Sequence, residues 1–360
     1  MTRIELPVVS FLAVLSLFVV LPLHLRSRNF PFLFVIAWLL VSNIIQGTDA
    51  IIWADDALIR AEGWCDVVTF ILYALRVALP AAALCVCRQL EIVSSTLDVS
   101  YDPRKKYFTS VFHYVMCLAV PVIYAILHFV VQDRRFVLVQ EFGCQAAIYP
   151  SVPALFLTWF IPLVFCMITV FYAGLSFYNY YRRCSFFNQH LNPRSKMTTA
   201  MFFRFVGFCL FTVLLVAFAN IFDMSSLIGE SGLLEYTSWS AVHQDNLTLV
   251  ISKEDTSQFA AGVRVRTEVT WWMAPIVSFV LAAVFASTKE CWIAGQDFCI
   301  TTKKRTRGLF TPKQKFDLPI QYVRLFPFRS FLSPRSFFDS VLIPLRSGGI
   351  GNWKVLRSCL

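Results

Sequence analysis

Three ionisable side chains, Asp49, Arg76 and Asp223, stand inside or at the edge of long apolar stretches of the sequence. Tyr73 lies one turn before Arg76, and Glu268 lies at the start of the last stretch. A charge near the centre of a bilayer costs at least about 2.5–3.5 kcal/mol, so such groups pair with a partner or line a polar cavity. We predict that these five residues bind a ligand in an outward-open cavity with Arg76 at its floor. The alternative is a purely structural Arg76, paired with Asp49 or with a backbone carbonyl.

The eleven cysteines divide by their position relative to the apolar stretches. Only Cys65 and Cys144 fall in segments that we place on the outer side of the membrane, which is an oxidising space. We predict a disulfide between them, which would hold a loop over the mouth of the cavity; two free thiols are the alternative. Cysteines inside the apolar stretches are expected to be small apolar residues. These are Cys85, Cys87, Cys117, Cys166 and Cys209.

The sequence does not contain the usual patterns of metal and catalytic centres. The five histidines are scattered, with no Cys/His spacing of the zinc type. The nucleophile motif Gly-x-Ser-x-Gly and the zinc motif His-Glu-x-x-His do not occur either. We therefore expect no metal, no cofactor and no enzymatic activity.

Seven apolar blocks must position the candidate residues. The chain of 360 residues is 57% hydrophobic and 15% charged, whereas soluble domains are about 45–50% apolar and about 25% charged. Its mean hydropathy is +0.63. Blocks of about 20 residues cross a hydrocarbon core of about 30 Å as helices, so we predict an all-α membrane protein with a seven-transmembrane helix bundle. The predicted spans are 6–23, 31–53, 64–87, 107–131, 152–178, 201–223 and 269–288.

Several of these blocks contain a proline. A proline in a helix has no backbone N–H, so it frees the carbonyl four residues earlier. In a membrane bundle, side chains of neighbouring helices can supply the missing donor. We expect this compensation around Pro22, Pro80, Pro121, Pro162 and Pro275.

The net charge of +10 carries an orientation signal. With the N-terminus outside, the three inner loops hold ten Lys and Arg residues and the three outer loops hold six. The positive-inside rule therefore predicts an outer N-terminus and a cytoplasmic C-terminus. Asn246 begins a glycosylation sequon on the predicted outer side. Since the charge is explained by orientation, it gives no reason to expect a nucleic-acid partner.

The chain divides into two predicted parts. Residues 1–288 form the seven-transmembrane bundle. Residues 289–360 are basic and rich in Ser, Pro and Phe, and they contain no long apolar block. We expect this part to be a largely disordered cytoplasmic tail. Its charge would attract it to the anionic lipid of the inner leaflet.

Basic residues also lie at the predicted inner ends of the helices. The simplest interpretation is that they anchor the helix ends by snorkelling. The functional interpretation is that they border a crevice on the inner side and couple the bundle to a partner, or control that coupling. Arg204 lies a turn inside its block, so we expect it to hold the sixth helix to a neighbour. The set is Arg88, Arg182, Arg183, Lys196 and Arg204.

Four tryptophans lie near the predicted outer ends of the spans. They are Trp53, Trp64, Trp271 and Trp272. Because tryptophan is enriched at membrane interfaces, we predict an aromatic belt in preference to a ligand-binding cluster.

Short strings along the chain resemble one receptor family. They include Leu21–Asn29 in the first inner loop, Trp64-Cys65-Asp66 and Ala78–Cys85 in the third span, Glu141–Cys144 in the second outer loop, and Trp271-Trp272 in the seventh span. Together they resemble the fungal lipopeptide (a-factor-type) mating-pheromone receptors, class D of the G-protein-coupled receptors. The resemblance covers about residues 6–290.

The resemblance implies a function in pheromone-dependent signal transduction. The protein would be a multi-pass receptor of the fungal plasma membrane. Its ligand would be a prenylated peptide pheromone, and its inner partner would be a heterotrimeric G protein. Two alternatives stay open: a multi-span transporter or channel, for which Asp49 and Arg76 would form the substrate path, and a pheromone-receptor-like paralogue that does not signal.

Overall fold

The computed structural model describes residues 3–95, 103–182, 199–243, 248–252, 255, 257–286, 288, 291–293 and 296. Arg183, Lys196, Asn246 and almost all of the predicted tail therefore lie outside the described residues.

Seven helices in the described chain are long and apolar enough to cross a membrane, which confirms the seven predicted spans. We name them α1 to α7. The central helix is α3, which is the most buried of the seven and packs against α2, α5 and α6. The bounds are Glu5–Ser27, Phe30–Ile52, Glu62–Ser95, Tyr107–Val130, Val152–Arg182, Ala200–Ser231 and Gln258–Ala286.

Three helices extend well beyond the apolar blocks that predict them, and α3 does so by continuing from residue 87 to Ser95. The helix α6 ends at Ser231 and not at Asp223, and α7 begins at Gln258, well before residue 269. The reason is that the extensions are polar, so hydropathy does not reveal them. Arg266 on the extension of α7 makes an ion pair with Glu230 on that of α6.

Three of the prolines free carbonyls that accept bonds from other helices. The indole of Trp38 donates to the carbonyl of Cys117, four residues before Pro121, over 3.0 Å. Four residues before Pro162, the carbonyl of Thr158 accepts from the hydroxyl of Tyr124 over 2.6 Å. Likewise the carbonyl of Trp271, four residues before Pro275, accepts from the amide of Gln46 over 3.2 Å. The expected compensation is confirmed at these three positions, where each freed carbonyl joins two helices.

Two of these sites coincide with changes in helix geometry. The fourth helix contains a π-helical segment at Val115–Ala119, directly before the turn with Pro121. The fifth contains another at Leu155–Phe160, directly before Pro162. Such segments are frequent at functional sites, and the second one turns Trp159 into the bundle, where it is buried.

A small β-sheet lies at one end of the bundle, and we call this end the sheet end. Its strands are β1 (Val137–Val139), β2 (Gly143–Gln145) and β3 (Leu249–Ile251). The strand order is β2-β1-β3, with β1 and β2 antiparallel and β1 and β3 parallel. The all-α prediction missed this sheet because strands of three residues are too short to show a period-two pattern.

Candidate ligand-binding site

A cavity opens into the bundle beneath β2, between α2, α3, α6 and α7. Its volume, counted with its open mouth, is about 770 Å³. A second space of about 1350 Å³ lies between the loops of the sheet end. The two share Arg76, Gln145, Ala146 and Thr270 in their walls, so they form one continuous recess.

The carboxylate of Asp223 lines the second space and contacts three side chains that carry N–H groups. Arg76 Nη1 lies 2.7 Å from Oδ2, and the indole Nε1 of Trp159 lies 3.0 Å from the same oxygen. Arg266 Nε lies 3.4 Å from Oδ1. Asp223 is buried, so these donors replace the water that the carboxylate loses. The group links α3, α5, α6 and α7 through a single side chain.

Arg76 pairs with Asp223 and not with Asp49, the partner named in the structural alternative. The reason is depth along the helices. Asp49 lies three residues before the end of α2, whereas Arg76 lies fourteen residues into α3. At 1.5 Å per residue these positions are about 5 Å and about 21 Å from the helix ends at the sheet.

Tyr73 lies one turn from Arg76 in the wall of the same cavity. Its hydroxyl donates to Thr158 Oγ1 over 3.0 Å. Its ring stacks against Tyr124 and His128, with centroids 4.6 Å and 4.0 Å away. The Arg76 guanidinium lies over the Tyr73 ring at 5.6 Å. These contacts fix the face that Tyr73 presents to the cavity.

Two of the predicted ligand-binding residues, Asp49 and Glu268, do not line the recess as the described part of the chain forms it. Asp49 is fully buried under β2, and its Oδ1 accepts from the indole of Trp64 over 2.8 Å. Glu268 binds Arg3 at 2.6 Å and so ties α7 to the chain before α1. The same hydrogen bond with Glu268 raises the pKa of Arg3.

A disulfide between Cys65 and Cys144 attaches β2 to the start of α3, with Cα atoms 5.3 Å apart. The neighbouring Gly143 has φ +78°, and its Cα packs directly on Asp49. A Cβ at this position would lie 2.4 Å from the Asp49 Cβ. The disulfide, Gly143 and Asp49 therefore together attach the sheet to α2 and α3.

The loops around the recess carry charges of both signs. Asp133 and Arg134 line the second space beside Arg266. Burial raises the pKa of Asp133, and the adjacent Arg134 opposes that rise. Because Arg76 and Arg266 are both neutralised by Asp223 and Glu230, the recess presents a balanced set of charges.

Comparison with known proteins identifies the family. The family model STE3, described as "Pheromone A receptor", matches residues 5–295. The chain belongs to the STE3 pheromone receptor family. This is a family of pheromone receptors, which are signalling receptors rather than enzymes.

Curated relatives in the STE3 family come from several fungi. The chain is 33% identical to the Pheromone B beta 1 receptor of Schizophyllum commune, over 78% of this chain and 52% of that receptor. It is 24% identical to Pheromone receptor 2 of Mycosarcoma maydis, over 79% of this chain and 85% of that receptor. It is 22% identical to the Pheromone M-factor receptor of Schizosaccharomyces pombe, over 76% and 72%. The chain spans about half the length of the Schizophyllum receptors that it matches.

Two tryptophans of this STE3 receptor do not belong to an interfacial belt. Trp53 is 0% and Trp271 is 2% exposed, so neither can face lipid, and that part of the belt prediction is wrong. The loops and the sheet cover Trp53, whose indole donates to the carbonyl of Leu58. Trp271 lines the cavity. Trp64 and Trp272 are partly exposed.

Three of the candidate coupling residues are described, and they lie at the end of the receptor opposite the sheet. Arg88 on α3 stacks over the ring of Phe112 at 4.1 Å. Arg182 on α5 is exposed and donates to the hydroxyl of Tyr178 over 3.4 Å. Arg204 on α6 is partly buried, and within the described part of the chain no ion pair joins it to another helix. Arg183 and Lys196 lie outside the described residues.

The sequence reasoning missed four residues that line the recess or bind Asp223. Asn220 and Gln46 each lie three residues before a singled-out aspartate, so helical periodicity could have found them. Arg266 lies in the polar extension of α7 that the hydropathy blocks excluded. Trp159 carried no signal, because its direction depends on the π-helical segment.

Proposed function

We propose that the protein is a plasma-membrane receptor that binds a prenylated peptide pheromone at the sheet end and activates a heterotrimeric G protein at the opposite end. The observation that carries the proposal is the Asp223 group, in which one carboxylate holds α3, α5, α6 and α7 together at the floor of an open recess. A ligand that contacts this group would directly affect the relative positions of these four helices.

The proposed orientation has the sheet end outside and the C-terminus in the cytoplasm. Three arguments support it. The Cys65–Cys144 bond belongs to an oxidising compartment. The loops predicted to lie inside are the richer ones in Lys and Arg. In the sequence, Asn246, the proposed glycosylation site, falls between α6 and α7, three residues before the start of β3.

The proposed ligand has two chemically different parts. Its peptide part would enter the recess and meet Tyr73, Arg76 and Asp223, whose side chains are already fixed by their neighbours. Its prenyl chain would lie against apolar surface between helices, where burial of each CH₂ contributes about 0.8 kcal/mol. Asp49 and Glu268 would act on binding indirectly, through the sheet and through the chain before α1.

Signal transfer would follow from a shift between two arrangements of the bundle. A ligand shifts such an equilibrium only by its difference in affinity for the two states. The helix α6 carries Asp223 towards the sheet end and Arg204 towards the other end. A movement of α6 would therefore connect the ligand site with the coupling residues. The G protein and the membrane lipid would contact the opposite end and the basic tail. The residues proposed for coupling are Arg88, Arg182, Arg183, Lys196 and Arg204.

The test is expression in a yeast strain that lacks its own pheromone receptors and carries a reporter of G-protein activation. Synthetic farnesylated peptides of fungal pheromone type are the probes, and non-farnesylated versions of the same peptides are the controls. We expect at least one farnesylated peptide to activate the reporter, at lower concentration than its control. Silence with every peptide, together with solute flux in reconstituted vesicles, would replace the receptor proposal by a transporter.

A further inference from the structure

We propose that Gln46, Asn220 and Trp271 form a subsite for a backbone amide of the bound ligand, a secondary amide that offers both an N–H and a C=O. The proposal rests on the receptor function proposed above and goes further by assigning three residues and a chemical group. All three residues line the cavity beneath β2, on α2, α6 and α7.

Buried polar atoms without partners mark this subsite. The three residues are 6%, 5% and 2% exposed. Within the described part of the chain, Gln46 Oε1, Asn220 Oδ1 and Trp271 Nε1 have no hydrogen-bond partner. Since more than nine-tenths of buried polar groups in proteins are bonded, three such atoms around one cavity are unusual.

Existing hydrogen bonds fix which atoms are left over. Gln46 Nε2 donates to the Trp271 carbonyl that Pro275 frees. Asn220 Nδ2 donates to the Val216 carbonyl over 2.8 Å. Each amide nitrogen makes one bond, which orients its side chain and leaves the amide oxygen as an unpaired acceptor. The unpaired atoms of the wall are therefore two acceptors and one indole donor.

This set of groups selects among ligand chemistries. A prenyl chain would leave all three atoms unbonded, and a carboxylate would bring a second set of acceptors against the two amide oxygens. An ammonium group could bond the oxygens but could not accept from the indole. A peptide unit does both, because its N–H donates to Asn220 or Gln46 and its C=O accepts from Trp271. It is also neutral, which suits a recess where Asp223 already balances Arg76.

The subsite lies beside the Asp223 group and shares its helix. Asn220 precedes Asp223 by three residues on α6, so both lie on one face of that helix. An amide bonded across the subsite would therefore link α2 and α7 to the helix that holds the central carboxylate. Ligand binding and the arrangement of the Asp223 group are then coupled through α6.

The first arm of the test needs no ligand and compares two buried asparagines in the purified full-length protein. Asn43 Nδ2 donates to Ser278 on α7 over 3.0 Å, so Asn43 is a structural residue. We expect N43L to lower the melting temperature, because it breaks a bond between helices. We expect N220L to lower it less than N43L or not at all, because N220L breaks only a bond within α6 and removes a buried acceptor that has no partner. A fall with N220L as large as that with N43L would overturn the proposal.

The second arm uses the farnesylated peptide that activates the wild-type receptor, with a set of analogues that are each N-methylated at one peptide bond. We expect N220L to raise the half-maximal concentration at least tenfold. One N-methylated analogue should be at least tenfold less potent than the parent peptide on the wild-type receptor. On N220L, that analogue and the parent peptide should be equally potent. The subsite would be overturned if the parent peptide were as potent on N220L as on the wild type. It would also be overturned if, for every analogue, the losses of potency from N-methylation and from N220L simply added. Silence of the wild type would instead count against the receptor function, and the melting comparison would still be able to overturn the subsite.

Discussion

The guanidinium of Arg76 on α3 lies 2.7 Å from the carboxylate of Asp223 on α6, and the partner carboxylate is almost completely buried. Breaking a buried ion pair typically costs about 3–5 kcal/mol, and since Arg266 and Trp159 would still contact the carboxylate, we expect a cost at the lower end of that range. The pair therefore determines how α3 and α6 meet. Because the same carboxylate also binds Trp159 and Arg266, a change at Arg76 reaches α5 and α7 as well.

The first prediction concerns the loss of this pair. We expect R76A to lower the free energy of unfolding by about 3 kcal/mol and to abolish most of the response, because buried Asp223 loses its nearest cation and keeps only Arg266 and Trp159. The matched control is R60A, since Arg60 makes an exposed ion pair with Asp56 that contributes about 0–1 kcal/mol. Melting of the purified receptor and reporter activation measure the two effects. Equal effects of R76A and R60A would contradict a special role for Arg76.

The second prediction concerns the disulfide. The bond between Cys65 and Cys144 closes a loop with a sequence separation of 79 residues. Closing loops of this kind typically stabilises a fold by about 2–4 kcal/mol. C65S and C144S should reduce surface expression to a similar level, and the double variant should be no worse than either single one. Additive losses would show that the two thiols act independently.

The third prediction concerns the close contact beneath the sheet. Gly143 has φ +78°, and an added Cβ would lie 2.4 Å from the Asp49 Cβ. We expect G143A to displace β2 and to impair surface expression and ligand response together. The control is G174A on α5, where an added Cβ meets nothing within 4 Å. Normal expression and response of G143A would mean that β2 tolerates a shift away from α2.

Much of this arrangement is readable from the sequence, because its physical causes are local. Apolar blocks of bilayer length predict the seven helices, and the two cysteines that we place on the outer side of the membrane are the ones that the structure joins. The pairing of Arg76 is different, because it depends on the relative depth of two helices. The polar extension with Arg266 and the direction of Trp159 also depend on tertiary contacts that hydropathy does not report.

The last prediction concerns a cluster of rings at the end opposite the sheet. His24 on α1 stacks on Phe32 of α2 at 4.8 Å and meets the edge of Phe285 on α7 at 5.2 Å. Phe205 on α6 completes the cluster, 4.7 Å from Phe32. Buried aromatic pairs contribute about 0.5–1.5 kcal/mol beyond the area they bury, so this cluster holds α6 against three helices.

If the inner end opens when the receptor is active, loosening this cluster should favour the active state without ligand. We therefore expect F205A to raise basal reporter activity at least twofold at equal surface expression. The control is F211A on the same helix, because Phe211 is 37% exposed and packs less tightly. A basal activity of F205A no higher than that of F211A would mean that the cluster stabilises the fold equally in both states, since only a difference between the states shifts their populations.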